Sequence, residues 1–327
     1  MMNSTTFVSL KSTNDIFLPF RVVLVVSACI ASTMGNVIIL VIFSASKREI
    51  KNKRSNRCRV IDIIIASIAI AALGRSLLLG PLQTACFTQG EWPFGESMCQ
   101  LQAYIEAMLR NAVIWYLSLL SIERYTKHIM PHEYLATFSP LTVNIILLGI
   151  LLIVIVQVTA PLYGWGKYEY IHDTGLCGTA TTSTFGCSYA LYLLLSLTLP
   201  PLSVIMVNGV LLSYQMCKKS KAQETTKRSM SCGNSRILSS EKEIPSLVAF
   251  MVLFVIMSIP RCIADVVIMC SETYHLLSPF IFSIYFLDSL TSVLLPVLCF
   301  SMHPRSRQIL SEVFRKKESC IPEKPIA

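Results

Sequence analysis

Seven long apolar blocks, separated by polar segments, occupy most of the chain, at about residues 22–45, 60–81, 99–124, 140–161, 189–215, 244–269 and 278–301. A helix rising about 1.5 Å per residue needs roughly 20 apolar residues to cross a hydrocarbon layer about 30 Å thick. Each block is long enough for this, and far longer than the roughly 9–11 residues of a barrel strand. The pattern predicts an all-α integral membrane protein, a seven-helix transmembrane bundle over residues 22–301. Residues 1–21 read as a short outer tail. In the remaining segment, 302–327, Ile309, Leu310, Val313 and Phe314 recur at helical spacing with Arg and Lys on other faces. That predicts a short amphipathic helix on the inner leaflet after the seventh span.

Composition agrees with the pattern. The chain is 53% hydrophobic and 14% charged, with a mean hydropathy of +0.59, whereas soluble domains carry about a quarter charged residues. The first apolar block is membrane-length and runs past any small-residue cleavage site, so it is expected to serve as the targeting signal itself. The formal charge of +9 suggests nucleic acid until its placement is considered. Segments 46–59, 125–139, 216–243 and 302–327 carry 7, 1, 7 and 6 Lys or Arg, against 2, 0, 1 and 0 in the intervening outer segments. Such a bias predicts a plasma-membrane protein with its N-terminus outside and its C-terminus inside. The basic inner segments then face anionic inner-leaflet lipids, and no nucleic-acid partner is implied.

Punctuation within the blocks is informative. Asn36 is an amide at membrane depth, which is costly unless it faces the bundle and finds a partner, and the adjacent Gly35 permits close helix approach. Cys99 opens the third block on the oxidising side, where a disulfide persists. Its partner is Cys177 or Cys187; counting back from Pro200-Pro201 places residue 187 already within the fifth helix and favours Cys177. Pro200-Pro201, Pro260 and Pro296 remove backbone donors from the fifth, sixth and seventh helices. Asn3-Ser4-Thr5 is a glycosylation acceptor on the outer side, and Cys320 lies just past the amphipathic segment, where palmitoylation is expected. The segment 216–243 is polar, basic and serine-rich, and reads as a mobile cytoplasmic loop.

These features together resemble a rhodopsin-like (class A) G-protein-coupled receptor over roughly residues 20–318. The resemblance is carried by Gly35-Asn36, the Trp92 turn with Cys99, Glu123-Arg124-Tyr125 at the inner end of the third helix, the proline-bearing fifth to seventh helices and the surface helix after them. The Gly164-Trp165-Gly166 loop looks somewhat like an opsin or amine-receptor branch. The resemblance implies an activation switch built from Glu123, Arg124, Tyr125, Phe254, Pro260 and Pro296, a heterotrimeric G protein and arrestin as cytoplasmic partners, and a ligand bound among the outer helix ends. Departures mark the chain as atypical, with an orphan's profile. Ala72, Val113 and Leu295 stand where the family's sodium-binding polar residues would be, so no such pocket is expected. Cys299 stands at the seventh-helix tyrosine, Asn208 at or near the fifth-helix tyrosine, and Met257-Ser258-Ile259-Pro260 at the sixth-helix Cys-Trp-x-Pro. Ser289 occupies the place of the retinal-bearing lysine, which excludes covalent retinal there.

The outer half of the bundle concentrates charge. Glu106 and Arg110 are four apart on one face of the third helix, and Arg261 and Asp265 repeat the arrangement in the sixth. Arg75 and Asp288 come from the second and seventh. The six groups can be understood in two ways. They neutralise one another, Glu106 with Arg110 or Arg75 and Arg261 with Asp265 or Asp288. Alternatively all six line a pocket for a small polar, anionic or lipid-borne ligand, gripped through guanidinium. A simple amine at Glu106 is disfavoured because Arg110 competes for that carboxylate.

The function expected is that of a receptor sensing an extracellular or lipid-borne ligand and signalling to a cytoplasmic transducer. A constitutively active or non-signalling partner receptor without its own ligand is the nearest alternative. A transporter or channel is a third reading, weakened by the missing two-half repeat and by the apolar substitutions low in the bundle. No catalytic residue, cofactor or metal site is expected: no nucleophile–base pair or metal-ligand cluster occurs at a usable spacing.

Overall fold

A computed structural model of the chain describes residues 4–50, 57–89, 91–171, 176–179, 185–227, 235–270 and 278–302. Among these, seven helical segments are long and apolar enough to cross a membrane. The first is α1 (Ser4–Ile50), which begins inside the segment expected to be a tail. The second is α2 (Arg57–Gly74) continued through a π-helical turn, Arg75–Leu79, into α3 (Gly80–Gln89). The third is α4 (Gly95–Ile129). A short α5 (Pro131–Thr137) leads to α6 (Pro140–Val158), the fourth. The fifth joins α7 (Gly186–Leu193) through a second π-helical turn, Leu194–Thr198, to α8 (Leu199–Lys227). The sixth is α9 (Ser235–Cys270) and the seventh α10 (Ser278–Met302).

Two expectations are corrected here. The segment read as a loop over 216–243 is in large part helix, because α8 continues to Lys227 and α9 begins at Ser235. Polar composition does not stop a helix that is already nucleated and still finds its own backbone partners. The fold is also not wholly helical: β1 (Tyr168–Ile171) and β2 (Leu176–Thr179) form an antiparallel hairpin, with Tyr170 opposite Cys177. The expected amphipathic helix, together with Asn3 and Cys320, lies outside the described residues.

Proline and small residues explain how the helices join. Pro296 has no N–H for the carbonyl of Ser292, one turn earlier, and Asn36 fills that place: its Nδ2 donates to the Ser292 carbonyl (3.2 Å) and to the Ser32 carbonyl (2.8 Å). The amide is fully buried. A Cβ on Gly35 would collide with the Pro296 ring, so only glycine lets α1 and α10 approach this closely. At the start of α6, Ser139 is an N-cap whose hydroxyl accepts from the Thr142 N–H (3.1 Å), followed by Pro140 at the first helical position.

All seven spans contribute to the central core, α1 through Ile39 and α6 through Val143 and Leu147. Ala72, Val113, Phe254 and Leu295 belong to this one apolar cluster. Each is at least nine-tenths buried. The outward faces are apolar as well, as in Leu141, Ile145, Leu148, Leu152 and Val156 of α6, which suits a surface solvated by lipid.

Candidate functional site

The hairpin closes one end of the bundle. Cys177 in β2 is bonded to Cys99 in the first turns of α4. Tyr168 in β1 donates to the Val158 carbonyl at the end of α6 (2.8 Å). Burial raises the Tyr168 hydroxyl from 10.0 to about 12 and pushes the Tyr170 hydroxyl up as well. A second disulfide, Cys187–Cys270, joins the start of α7 to the end of α9. From the sequence, Cys187 reads only as a partner for Cys99 or as free. Nothing in spacing alone pairs two cysteines 83 residues apart.

Beneath the hairpin, the six charged residues form an alternating chain. Glu106 Oε1 lies 2.8 Å from Arg75 Nη2, which is 3.2 Å from Asp288 Oδ2. Asp288 Oδ1 is 3.6 Å from Arg110 Nε, and Arg110 Nη1 is 3.2 Å from Asp265 Oδ2. Asp265 Oδ1 then takes Arg261 Nε at 2.8 Å. Acid and base alternate from end to end, and the second, third, sixth and seventh spans are linked by it. Of the alternatives the sequence left open, Glu106 bonds to Arg75 rather than Arg110, and Arg261 to Asp265 rather than Asp288. Sharing a helix face places Glu106 and Arg110 side by side, but neighbouring helices supply each with a partner better aligned than the other.

The structure adds residues to this set. Tyr285 donates to Asp265 Oδ1 (3.1 Å) and lies with its ring centroid 3.3 Å from the Arg261 guanidinium carbon. Ser292 accepts from Arg75 Nη1 (3.4 Å). Tyr285 sits three residues before Asp288, on one face of α10, and that spacing is the signal available in the sequence.

Two cavities flank the charged chain. One lies among the first, second, third and seventh spans, lined by Arg75, Gln102, Glu106 and three phenylalanines, Phe87, Phe282 and Phe286. The other lies toward the fifth and sixth spans and is lined by Arg110, Asn111, Asp265 and Cys262. Glu106, Arg261, Tyr285 and Cys177 border both.

At the other end of α4, Glu123 is fully buried. Its Oε1 accepts from the Tyr134 hydroxyl of α5 (2.9 Å), and its Oε2 is 3.5 Å from Arg124 Nε. Tyr125 and Phe254 pack in the core, Phe254 stacked at 6.3 Å from Phe250. Asn208 donates to Ser121 (3.0 Å) one turn before Arg124. Among the described residues no group of three His, Cys, Asp or Glu gathers as a metal site.

Residues 35–299 match the family described as the seven-transmembrane receptor (rhodopsin family). The chain belongs to the rhodopsin family of seven-transmembrane receptors. Within that family it is similar to the GQ-coupled rhodopsin of Mizuhopecten yessoensis, 25% identical over 85% of this chain and 56% of that protein. It is similar also to the tyramine receptor tyra-2 of Caenorhabditis elegans (26%, 32% of this chain and 23% of that one) and to the D(1B) dopamine receptor of Xenopus laevis (26%, 58% and 43%). The chain thus spans about half or less of the length of these relatives. Squid rhodopsin shares the fold, with a TM-score of 0.72 at 16% identity over 92% of this chain and 82% of that one. For a rhodopsin-family receptor the seven spans and the Cys99–Cys177 bridge are the expected frame. The alternating ion chain is a property of this receptor's own residues.

Proposed function

We propose that this receptor binds a small polar ligand among Arg75, Glu106, Arg110, Arg261, Asp265 and Asp288 and passes the resulting rearrangement to a heterotrimeric G protein. The observation that supports it most is the span of α4. One continuous helix carries Glu106 beside both cavities and Arg110 beside the second, and Arg124 of the buried Glu123-Arg124 pair lies 18 residues from Glu106, or about 27 Å further on. The charge bias of the connecting segments orients the cavities outward and Arg124 inward. Glu123, held by Tyr134, keeps Arg124 in the resting arrangement. Motion of α8, α9 and α10 about their proline-bearing segments exposes it to the transducer, with arrestin reading the same surface. The basic inner segments rest on anionic lipid. Covalent retinal has no part in this reading, since Ser289 stands at the lysine position.

A second reading is favoured by one observation, that all six charges already neutralise one another. It makes the receptor ligand-independent, a constitutive activator or a silent partner. Nucleotide exchange on purified G proteins, measured with receptor in native membranes, decides between them. Exchange that a ligand raises and Arg124→Ala abolishes supports the first reading. Exchange that is high without ligand and lost in Arg124→Ala supports the second. No exchange with any G-protein class overturns signalling by this route.

A further inference from the structure

The ion chain constrains what the cavity beside Arg75 and Glu106 accepts. Its six members sum to zero charge, and each inner member touches two of opposite sign. A ligand bearing a single charge displaces one member of a pair and leaves its partner buried and uncompensated, which is strongly unfavourable. A ligand bearing both charges replaces an internal ion pair by two new ones and keeps the sum at zero. Glu106 and Arg75 are in direct contact at 2.8 Å, so the ligand's charges must also be adjacent, as they are in an α-amino acid.

An independent feature points to the same ligand. Gln102 is one turn from Glu106 on the same face of α4, borders the same cavity and is only 2% exposed. Its Oε1 accepts no hydrogen bond among the described residues. A buried amide oxygen left without a donor is costly, and Gln102 shares the wall of this cavity with Glu106. Together they form an acceptor pair suited to an ammonium that retains its N–H groups, rather than to a quaternary amine. Part of the wall is aromatic: Phe87 meets Phe282 edge-on at 5.7 Å, and Phe282 stacks with Phe286 at 6.0 Å. That shelf takes an aromatic side chain.

We propose that the cavity between the first, second, third and seventh spans is a site for a zwitterionic, aromatic α-amino acid. Its ammonium donates to Glu106 and Gln102 Oε1, its carboxylate lies on Arg75, and its ring packs against Phe87, Phe282 and Phe286. The proposal rests on the receptor reading above and specifies its ligand class.

The test uses the full-length receptor in nanodiscs, with thermal unfolding as the readout of occupancy. The probes are L-phenylalanine, L-tyrosine and L-tryptophan, against 2-phenylethylamine and 3-phenylpropanoate, which carry one charge each. At least one amino acid raises the melting temperature with saturation, and the single-charge analogues bind about ten-fold more weakly or worse. Gln102→Leu weakens the amino acid about ten-fold without lowering the unliganded melting temperature, since Gln102 Oε1 holds nothing in the free receptor. The double variant Arg75→Gln with Glu106→Gln loses binding; where it fails to fold, Gln102→Leu carries the test. Equal binding of an analogue overturns the proposal, as does no shift from any of the three amino acids or indifference to Gln102→Leu. Nucleotide exchange is read in parallel. Exchange dependent on Arg124 without amino-acid binding sinks this inference and leaves the receptor reading intact; binding without exchange does the reverse.

Discussion

The indole N–H of Trp115 in α4 donates to the backbone carbonyl of Leu197 in the fifth span over 2.9 Å. Leu197 lies four residues before Pro201, which has no hydrogen to offer it. A side chain of the third span thereby supplies a donor that the fifth span's own backbone lacks, and the two spans are fixed in register where the second π-helical turn meets α8.

Trp115→Phe keeps an aromatic ring and removes that donor. The variant is expected to lose about 1 kcal/mol of stability, the usual scale for an interhelical hydrogen bond in a membrane. Thermal unfolding in detergent micelles measures this. A variant as stable as the parent would show that the Leu197 carbonyl finds another partner.

Gly35→Ala places a methyl group against the Pro296 ring. The ring cannot rotate away, so α1 and α10 must separate and the Asn36 bond to the Ser292 carbonyl must lengthen. Overpacking of this kind costs about 1–3 kcal/mol. Lower yield of folded receptor and a lower melting temperature are expected, whereas Gly149→Ala, which meets no atom within 4 Å, leaves both unchanged.

Tyr134→Phe removes the hydroxyl that holds Glu123. A hydrogen bond to a buried charge contributes about 1.5 kcal/mol or more, equivalent to roughly ten-fold in an equilibrium. Under the receptor reading the resting state loses that increment and basal nucleotide exchange rises by about the same factor. Basal exchange at the parent level would remove Tyr134 from the resting lock.

The hairpin beside the cavities is expected to be sensitive to alkali. The Tyr168 hydroxyl is raised to about 12 by burial, against 10.0 for the exposed group. A raised folded-state value favours the protonated form, so this contribution to stability is fully present below about pH 10 and is lost as pH climbs toward about 12. Melting temperature measured from pH 8 to 11.5 should fall in the upper part of that range. Tyr168→Phe, which has no proton to lose, should show a shallower fall.

The seven crossings were legible because lipid imposes one requirement on every segment, and apolar length reports it directly. Asn36 and Gly35 were legible for a related reason, since an amide and a missing side chain at membrane depth each demand a neighbour. The six charged residues were also recognisable as a group. Which of the alternative pairs they form was not, because Arg75 reaches from the second span to both Glu106 and Asp288, and helix rotation is set by packing that no local pattern encodes. The π-helical turn opening at Arg75 adds a residue to the second span and re-aims every side chain beyond it. Cys187–Cys270 and the hairpin escaped for the same cause: each depends on where distant chain ends are delivered.

The Cys187–Cys270 bridge fastens the fifth and sixth spans at the hairpin end of the bundle, with the two Cα atoms 4.5 Å apart. Two rods fastened at one tip cannot slide or spread in parallel; they open only like tongs. Any parting of α8 from α9 must therefore grow with depth, smallest beside the cavities and widest where the helices run out toward Lys227 and Ser235. A slight tilt near the bridge is geared by leverage into a large gape at the far side.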